Sequence, residues 1–189
     1  VDAEPWFRRF LAWEEIDERD LARERDLDPG VARPRRLHTV DKWQALLYLA
    51  KCCVVQGKDK AAQDAYLQAL ALYPQWPNAY LGLSALALQA DDLDAAEHYA
   101  QAALHEIDSG ARPHIGAFVE EAEYAVGPYA LLQQIAYKRY EKGDEGQLAV
   151  ALGWCEKGLE RTPNEPILTD YARQYQHGRT ILNRNQAAI

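Results

Sequence analysis

The chain of 189 residues carries 21 Lys and Arg against 29 Asp and Glu, so its net charge is -8, which argues against a dedicated nucleic-acid or anionic-membrane surface. Ala and Leu number 54 whereas Val and Ile number 15, a ratio that favours helices because β-branched side chains lose rotamer freedom in a helix. No apolar run approaches the ~18 residues that a bilayer span requires, and the first residues lack the layout of a secretory signal. We therefore expect an all-α protein in the cytoplasm.

The cysteines and methionines add two expectations. Cys52, Cys53 and Cys155 form neither an even disulfide set nor a CxxC metal half-site. We interpret them as small buried apolar residues in a reducing compartment. The chain contains no Met, and we expect it to be a fragment of a longer polypeptide.

Residues 1–38 are predicted to form an N-terminal helix and a linker. The helix runs from Glu4 to about Asp26 and places Trp6, Phe10 and Trp13 on one stripe, which we expect to dock on the helices that follow. A basic cluster in the linker lacks the glycine-rich loop of a phosphate site, so a solvated linker is the favoured interpretation. The cluster comprises Arg33, Arg35 and Arg36.

Residues 39–108 are predicted to form two regular helical-hairpin repeats. Trp43 to Pro74 and Pro77 to Asp108 align at an offset of 34 residues. This pattern resembles the tetratricopeptide repeat (TPR), whose hairpins hide their apolar stripes only by stacking on a neighbour, so the resemblance implies an α-solenoid. The signature positions hold Leu46, Leu49, Ala50, Cys53, Ala62, Tyr66, Ala69 and Pro74 in the first repeat, and Tyr80, Leu83, Ser84, Ala87, Ala96, Ala100, Ala103 and Asp108 in the second.

The turns inside these two repeats fit the same period. Gly57 precedes Asp59 in the first repeat, and Asp91 precedes Asp92 in the second. Glycine ends a helix without a Cβ penalty, and an aspartate can cap the helix that follows. Each turn therefore predicts the end of one helix and the start of the next.

Residues 109–127 form an inserted segment that is longer than an ordinary connection between helices. We expect it to pack on the array, in part as a short helix near Phe118 to Ala125. A structural strap is favoured over a functional loop, because long ordered loops are most often simply packed.

Residues 128–163 are predicted to form a third, irregular TPR-like repeat. Its two helices run from about Tyr129 to Lys142 and from about Gln147 to Arg161. Residues 164–189 supply a capping helix, from about Ile167 to Leu182, and a tail. A terminal helix of this kind covers the exposed end of a repeat array.

Signatures of catalysis and of metal binding are missing from the sequence. No GxGxxG, GxxxxGK[ST], GxSxG or HExxH string occurs. His98 and His105 share one predicted helix, but two turns separate them by ~10 Å, too far for one metal ion. The Asp-x-Asp strings at 26–28 and 92–94 are interpreted as helix caps rather than as cation ligands beside a sugar nucleotide. We therefore predict no catalytic residue, no metal site and no cofactor in this chain.

The TPR resemblance implies a partner-binding face on the first helix of each repeat. The face comprises Gln44, Leu47, Lys51, Val54, Asn78, Leu81, Ala85, Leu88, Tyr137 and Tyr140. Its leucines and valine would bury apolar surface, Lys51 and Asn78 would fix register, and the two tyrosines would act as anchors. The face departs from the clamp with which chaperone-tail binders of this family hold two carboxylates. Alternatively, the chain's own N-terminal helix or inserted segment fills the groove, and the apolar residues are core.

A closer resemblance rests on the segment from Pro113 to Gly143. It contains Phe118-Val119-Glu120, Tyr124, Gly127-Pro128-Tyr129, Ile135-Ala136 and the stretch Tyr140 to Gly143, and it follows a repeat opened by His38, Asp41 and Trp43. This layout resembles the TPR-like helical extension that lies C-terminal to family-2 (GT-A fold) glycosyltransferase domains. The likeness covers roughly residues 38 to 165. No catalytic residue is carried over, because the sheet domain that would hold one is not in this chain.

The function expected from these patterns is a non-catalytic scaffold or interaction module. The closer resemblance implies that this module is the repeat extension of a glycosyltransferase. There it would orient the catalytic domain, oligomerise as a homodimer or recruit the acceptor. The rival hypothesis is a free-standing TPR adaptor that mediates protein assembly. The expected partner is a protein, a peptide or a covalently linked catalytic domain, and neither a nucleic acid nor a membrane span is expected. If the chain were itself an enzyme with an unrecognised site, incubation with nucleotide sugars and a divalent metal would show hydrolysis or a thermal shift.

Overall fold

The computed structural model describes residues 3–11, 39–110 and 121–186, and every regular element in these ranges is an α-helix. The all-α prediction is therefore confirmed. The helices are α1 (residues 4–11), α2 (Thr39–Val55), α3 (Asp59–Leu72), α4 (Pro77–Gln89), α5 (Leu93–Asp108), α6 (Glu121–Glu141), α7 (Gln147–Arg161) and α8 (Pro166–Gln186). None of these described helices is long and apolar enough to cross a bilayer.

The described residues fall into two compact bodies. The N-terminal body comprises α1, α2 and α3 (residues 3–11 and 39–75), and the C-terminal body comprises α4 to α8 (residues 76–110 and 121–186). Within the C-terminal body each helix packs on the next, and α4 also contacts α6. Sequential packing of neighbouring helices is the arrangement of an α-solenoid.

Small side chains hold the hairpin of the N-terminal body together. Ala50 and Cys53 of α2 and Ala62 and Ala69 of α3 are fully buried, and side chains of this size let two helix backbones approach closely. Trp43 is also buried at the start of α2. The turn between the helices contains Gly57 at φ +68°, the left-handed conformation in which glycine has no Cβ penalty.

The hairpin of α4 and α5 is joined by an aspartate cap and by a buried hydroxyl. The Asp92 side chain accepts a hydrogen bond from the backbone N–H of Ala95 at 3.1 Å, so its interpretation as a helix cap is confirmed. The Ser84 hydroxyl donates to the backbone oxygen of Ala96 at 2.8 Å. Because Ser84 is fully buried, this bond satisfies a hydroxyl group that would otherwise be costly to place in the core.

Helix α6 begins eight residues earlier than the sequence predicts. The sequence predicts a start at about Tyr129, after a separate short helix near Phe118 to Ala125, yet Pro128 lies inside α6. Tertiary contacts hold the extra turns: the Tyr124 hydroxyl donates to Asn78 Oδ1 at 2.5 Å, and a Cβ at Gly127 would lie only 3.2 Å from a Leu81 methyl carbon. Residues 121–125 are thus the first turns of α6 rather than part of a separate short helix.

Helix α7 has the predicted bounds, whereas α8 begins one residue earlier and ends four residues later than predicted. Helices α7 and α8 and the middle of α6 meet at Gly158. A Cβ built there would lie 2.5 Å from Leu168 Cδ1 and 3.0 Å from Tyr129 Cβ. The missing side chain is therefore what lets these helices come together.

Several sequence-based interpretations lie outside the described residues. They concern the N-terminal helix beyond residue 11, with Trp13, and the Asp26 to Asp28 string. They also concern the arginine cluster of the linker, His38, and the inserted segment between residues 111 and 120, with Phe118 and Val119.

Replacing Gly158 by Ala is expected to lower the free energy of unfolding by about 1 to 3 kcal/mol, because overpacking forces backbones and side chains apart. Gly153 on the same helix is the matched control, since a Cβ there meets nothing within 4 Å. Gly153→Ala should raise stability by up to about 1 kcal/mol through helix propensity. Urea denaturation of the three chains measures both effects, and a Gly158→Ala chain as stable as the parent would contradict the close crossing.

Candidate partner-binding face

The ten residues of the predicted partner-binding face lie on α2, α4 and α6. Each of these is the first helix of a hairpin, as the repeat pattern requires. Helix α2 belongs to the N-terminal body, and α4 and α6 belong to the C-terminal body. The two parts of the face are therefore described separately.

On α2, three of the four predicted residues reach the surface. Lys51 is exposed, and Gln44 and Val54 are half-buried. Leu47 is only 8 % exposed and contributes to the core of the N-terminal body. The accessible part of this face is thus a mixed polar and apolar strip.

On α4, the accessible part of the predicted face centres on Ala85. Ala85 is exposed, and Asn78 and Leu81 are half-buried, the latter two in contact with the first turns of α6 as described above. Leu88 is buried and packs in an apolar cluster with Leu132 and other residues of α5 and α6. Leu88 is therefore a core residue in this fold, covered by α5 and α6.

The two tyrosines predicted on α6 belong to a row of four rings in contact, which we call the tyrosine row. Tyr137 stacks on Tyr175 of α8 with ring centroids 5.0 Å apart, and Tyr171 stacks on the same ring at 5.8 Å. Tyr140 tilts against Tyr137 at 5.8 Å. Tyr137, Tyr140 and Tyr171 are half-buried and Tyr175 is buried. Tyr171 and Tyr175 lie on the predicted capping helix and are not among the predicted face residues.

A buried polar pair lies beneath the tyrosine row. The Tyr175 hydroxyl donates a hydrogen bond to Gln133 Oε1 at 2.5 Å, and Gln133 is fully buried. Burial raises the pKa of Tyr175, so the hydroxyl keeps the proton with which it donates this bond. Gln133 Nε2 has no hydrogen-bond partner among the described residues. Sequence analysis did not single out Gln133, because a glutamine inside a helix gives no local sign of burial.

The buried cysteines carry no sign of reactivity. Cys53 and Cys155 are buried and Cys52 is half-buried, which confirms the interpretation of the first two as small core residues. Burial raises the pKa of Cys155 to about 11 and also raises the pKa of Cys53. A thiol with a raised pKa is a poor nucleophile, because the thiolate is the reactive form. In the described part of the chain, no three His, Cys, Asp or Glu side chains are grouped so that they could hold a metal ion.

Helix α1 is held on the N-terminal body by a buried carboxylate. Glu4 accepts hydrogen bonds from Lys58 Nζ at 2.6 Å and from Arg8 Nε at 2.7 Å. These bonds, with that from Lys58 the stronger cause, lower the pKa of Glu4 below its ordinary 4.5. Phe7 stacks on Tyr48 of α2 at a centroid distance of 5.7 Å. The described part of the N-terminal helix thus docks through Glu4 and Phe7, whereas Trp6, which the sequence places on the docking stripe, is 63 % exposed.

No protein-family model matches the sequence, and no curated protein matches it significantly. The TPR assignment and the glycosyltransferase resemblance therefore rest on the residue patterns given above.

Removal of the Tyr175 hydroxyl is expected to destabilise the C-terminal body. Tyr175→Phe leaves both polar atoms of Gln133 buried without a partner, which typically costs about 1 to 3 kcal/mol. Adding Gln133→Leu removes the unpaired amide and should restore most of the loss, so that the pair shows coupling in a double-mutant cycle. Chemical denaturation of the parent, both single variants and the double variant gives the four free energies. Additive effects would contradict the bond.

Docking of α1 is expected to weaken in acid. A carboxylate whose pKa is lowered in the folded state contributes stability above its unfolded pKa and loses it as pH falls through the lowered value. The contacts between the Phe7 and Tyr48 rings, followed by NMR from neutral pH to below 4.5, should therefore fade at the acid end. Glu4→Gln is the control, because its ring contacts should show no such transition. A transition of equal size in that variant would assign the effect to another group.

Proposed function

We propose that this chain is a non-catalytic helical-repeat interaction module of the TPR type. The observation that carries the proposal is the tyrosine row, in which three half-buried rings stand ordered on α6 and α8. Tyrosine offers a large contact area with few rotatable bonds, and it is enriched among the residues that dominate binding energy at interfaces. The row includes both tyrosines that the repeat resemblance assigns to the partner-binding face.

Stacking prepares these rings for binding. A side chain immobilised on association costs about 0.5 to 1.5 kcal/mol. Tyr137 and Tyr171 already stack on the buried Tyr175 ring. Most of their side-chain entropy is therefore lost on folding rather than on binding. Ala85 of α4, in the same body, is exposed, and its small side chain would let a partner backbone approach closely.

We further propose that the module is the extension of a glycosyltransferase, where it orients the catalytic domain, forms a homodimer or recruits the acceptor. The resemblance supports this finer proposal through Gly127-Pro128-Tyr129 and the stretch Tyr140 to Gly143. These motifs begin and end a segment of α6 that packs on α4, α5 and α7.

A bulky charge at Ala85 is expected to disrupt partner binding. Ala85→Arg places a long charged side chain on the proposed face, and Ala149→Arg places the same side chain on an exposed position of α7. Partners that bind the face should be lost from the first variant and retained by the second when the native complexes are purified and quantified by mass spectrometry. Equal retention by both variants, with unchanged circular dichroism, would remove α4 from the binding surface.

The size of the native gene product separates the two forms of the proposal. An antibody raised against this chain should detect a species with at least ~200 further residues, about one more domain, and its upstream peptides should have a mixed α/β character. A native product close to 21.4 kDa would instead favour the free-standing adaptor. Both forms keep the interaction function, which the Ala85 experiment tests independently.

A further inference from the structure

Asp91 has a left-handed backbone conformation, which is uncommon outside glycine, although Asp and Asn adopt it more readily than other residues. It occupies the turn between α4 and α5 at φ +62°, whereas the corresponding turns after α2 and α6 contain Gly57 at φ +68° and Gly143 at φ +104°. Asp91 also lies one 34-residue period after Gly57 in the sequence. Left-handed backbone is easy for glycine and costs free energy for a residue with a Cβ. A residue other than glycine at this position therefore calls for a physical reason.

The Asp91 carboxylate binds the C-terminal end of α6. Lys142 Nζ lies 2.8 Å from Asp91 Oδ2, and Lys138 Nζ lies 3.9 Å from Oδ1. Lys138 Nζ also donates a hydrogen bond to the backbone oxygen of Leu88 at 3.1 Å, in the last turn of α4. The lysine at position 142 is the main cause that lowers the pKa of Asp91, so the carboxylate stays ionised for these contacts.

A forked arginine on α6 extends the same set of contacts. Arg139 Nη1 lies 2.5 Å from Glu97 Oε2, and Arg139 Nη2 lies 2.7 Å from Asp94 Oδ1. The two acids are three residues apart on α5 and so share one face of that helix. The arginine side chain is only 24 % exposed, and a guanidinium that spans two carboxylates has a more defined geometry than a single lysine contact. The α6 ion-pair cluster comprises Lys138, Arg139, Lys142, Asp91, Asp94 and Glu97.

The apolar contacts beneath this cluster are less directional than its ion pairs. Leu132 and Ile135 of α6 pack on Leu88, Leu93 and the buried alanines of α5. Burial of apolar surface drives association but has no direction. Charged groups at the edge of an apolar contact are what commonly sets register between helices.

We infer that Asp91 is a positioning residue, kept at a left-handed turn position because its carboxylate, together with Asp94 and Glu97, fixes the register of α6 on α4 and α5. The inference does not depend on the proposed function. It does bear on the tyrosine row, since Tyr137 and Tyr140 flank the ion-pairing residues Lys138 and Arg139 on α6. The cluster therefore determines where these rings stand.

Asp91→Gly tests the inference against Asn164→Gly. Asn164, in the turn before α8, is the other described residue besides glycine at positive φ, with φ +67°, so both variants relieve the same backbone conformation and add the same freedom to the unfolded chain. Hydrogen exchange of the α6 amides should be about threefold to tenfold faster in Asp91→Gly than in Asn164→Gly. That excess should shrink at ~1 M salt, where the screening length is about 3 Å. Equal exchange in the two variants, or an excess that salt does not reduce, would overturn the inference.

A second set of variants measures the register itself and avoids the glycine change. Asp91→Asn keeps the size of the side chain and tolerates left-handed backbone but removes the charge, and Lys142→Gln removes its partner. NMR residual dipolar couplings of α6 relative to α4 and α5 should change in either variant, with little further change when the two are combined. Couplings that match the parent in all three chains would show that the apolar contacts alone set the register.

Discussion

The C-terminal body depends on one helix that buries side chains on two faces. Helix α6 places Leu132 and Ile135 in the apolar cluster of α4 and α5, and it places Tyr129 and Ala136 in the cluster of α7 and α8. A helix with apolar residues around most of its circumference is stable only inside a fold, because either face alone would be left in water. The two clusters are thereby joined through the same element, and a displacement of α6 would disturb both.

The position of α6 explains which residues of the predicted face are covered in this body. Helix α6 covers Leu88, which the repeat pattern had placed on a partner-binding face, and its first turns contact Asn78 and Leu81. Of the predicted face residues on this body, Ala85 is exposed, and Asn78, Leu81, Tyr137 and Tyr140 are half-buried. A binding surface built from side chains that are already ordered loses little conformational entropy on association.

Polar groups give this apolar framework its specificity. The Tyr175 hydroxyl reaches Gln133 in the core, and the ion pairs of α6 reach acids on α4 and α5 at the edge. Each such bond requires a particular distance and direction, whereas apolar burial stabilises any arrangement that removes apolar surface from water. The glutamine also shows the cost of this strategy, because an amide nitrogen without a partner is unfavourable in a core.

The sequence by itself determined the helical class, the bounds of α7 and the Asp92 cap, because each depends on residues within a few turns of one another. The burial of Cys53 and Cys155 was predicted from residue type, since an unpaired cysteine behaves as a small apolar side chain. Only the tertiary structure decided that α6 continues through Pro128, that Leu88 is covered, and that Gln133 pairs with a tyrosine 42 residues away. Helix periodicity, capping and turn conformation depend on neighbouring residues, so they can be predicted from local sequence. Which surface of a helix is covered depends on partners that are distant in sequence, and their meeting is decided by packing.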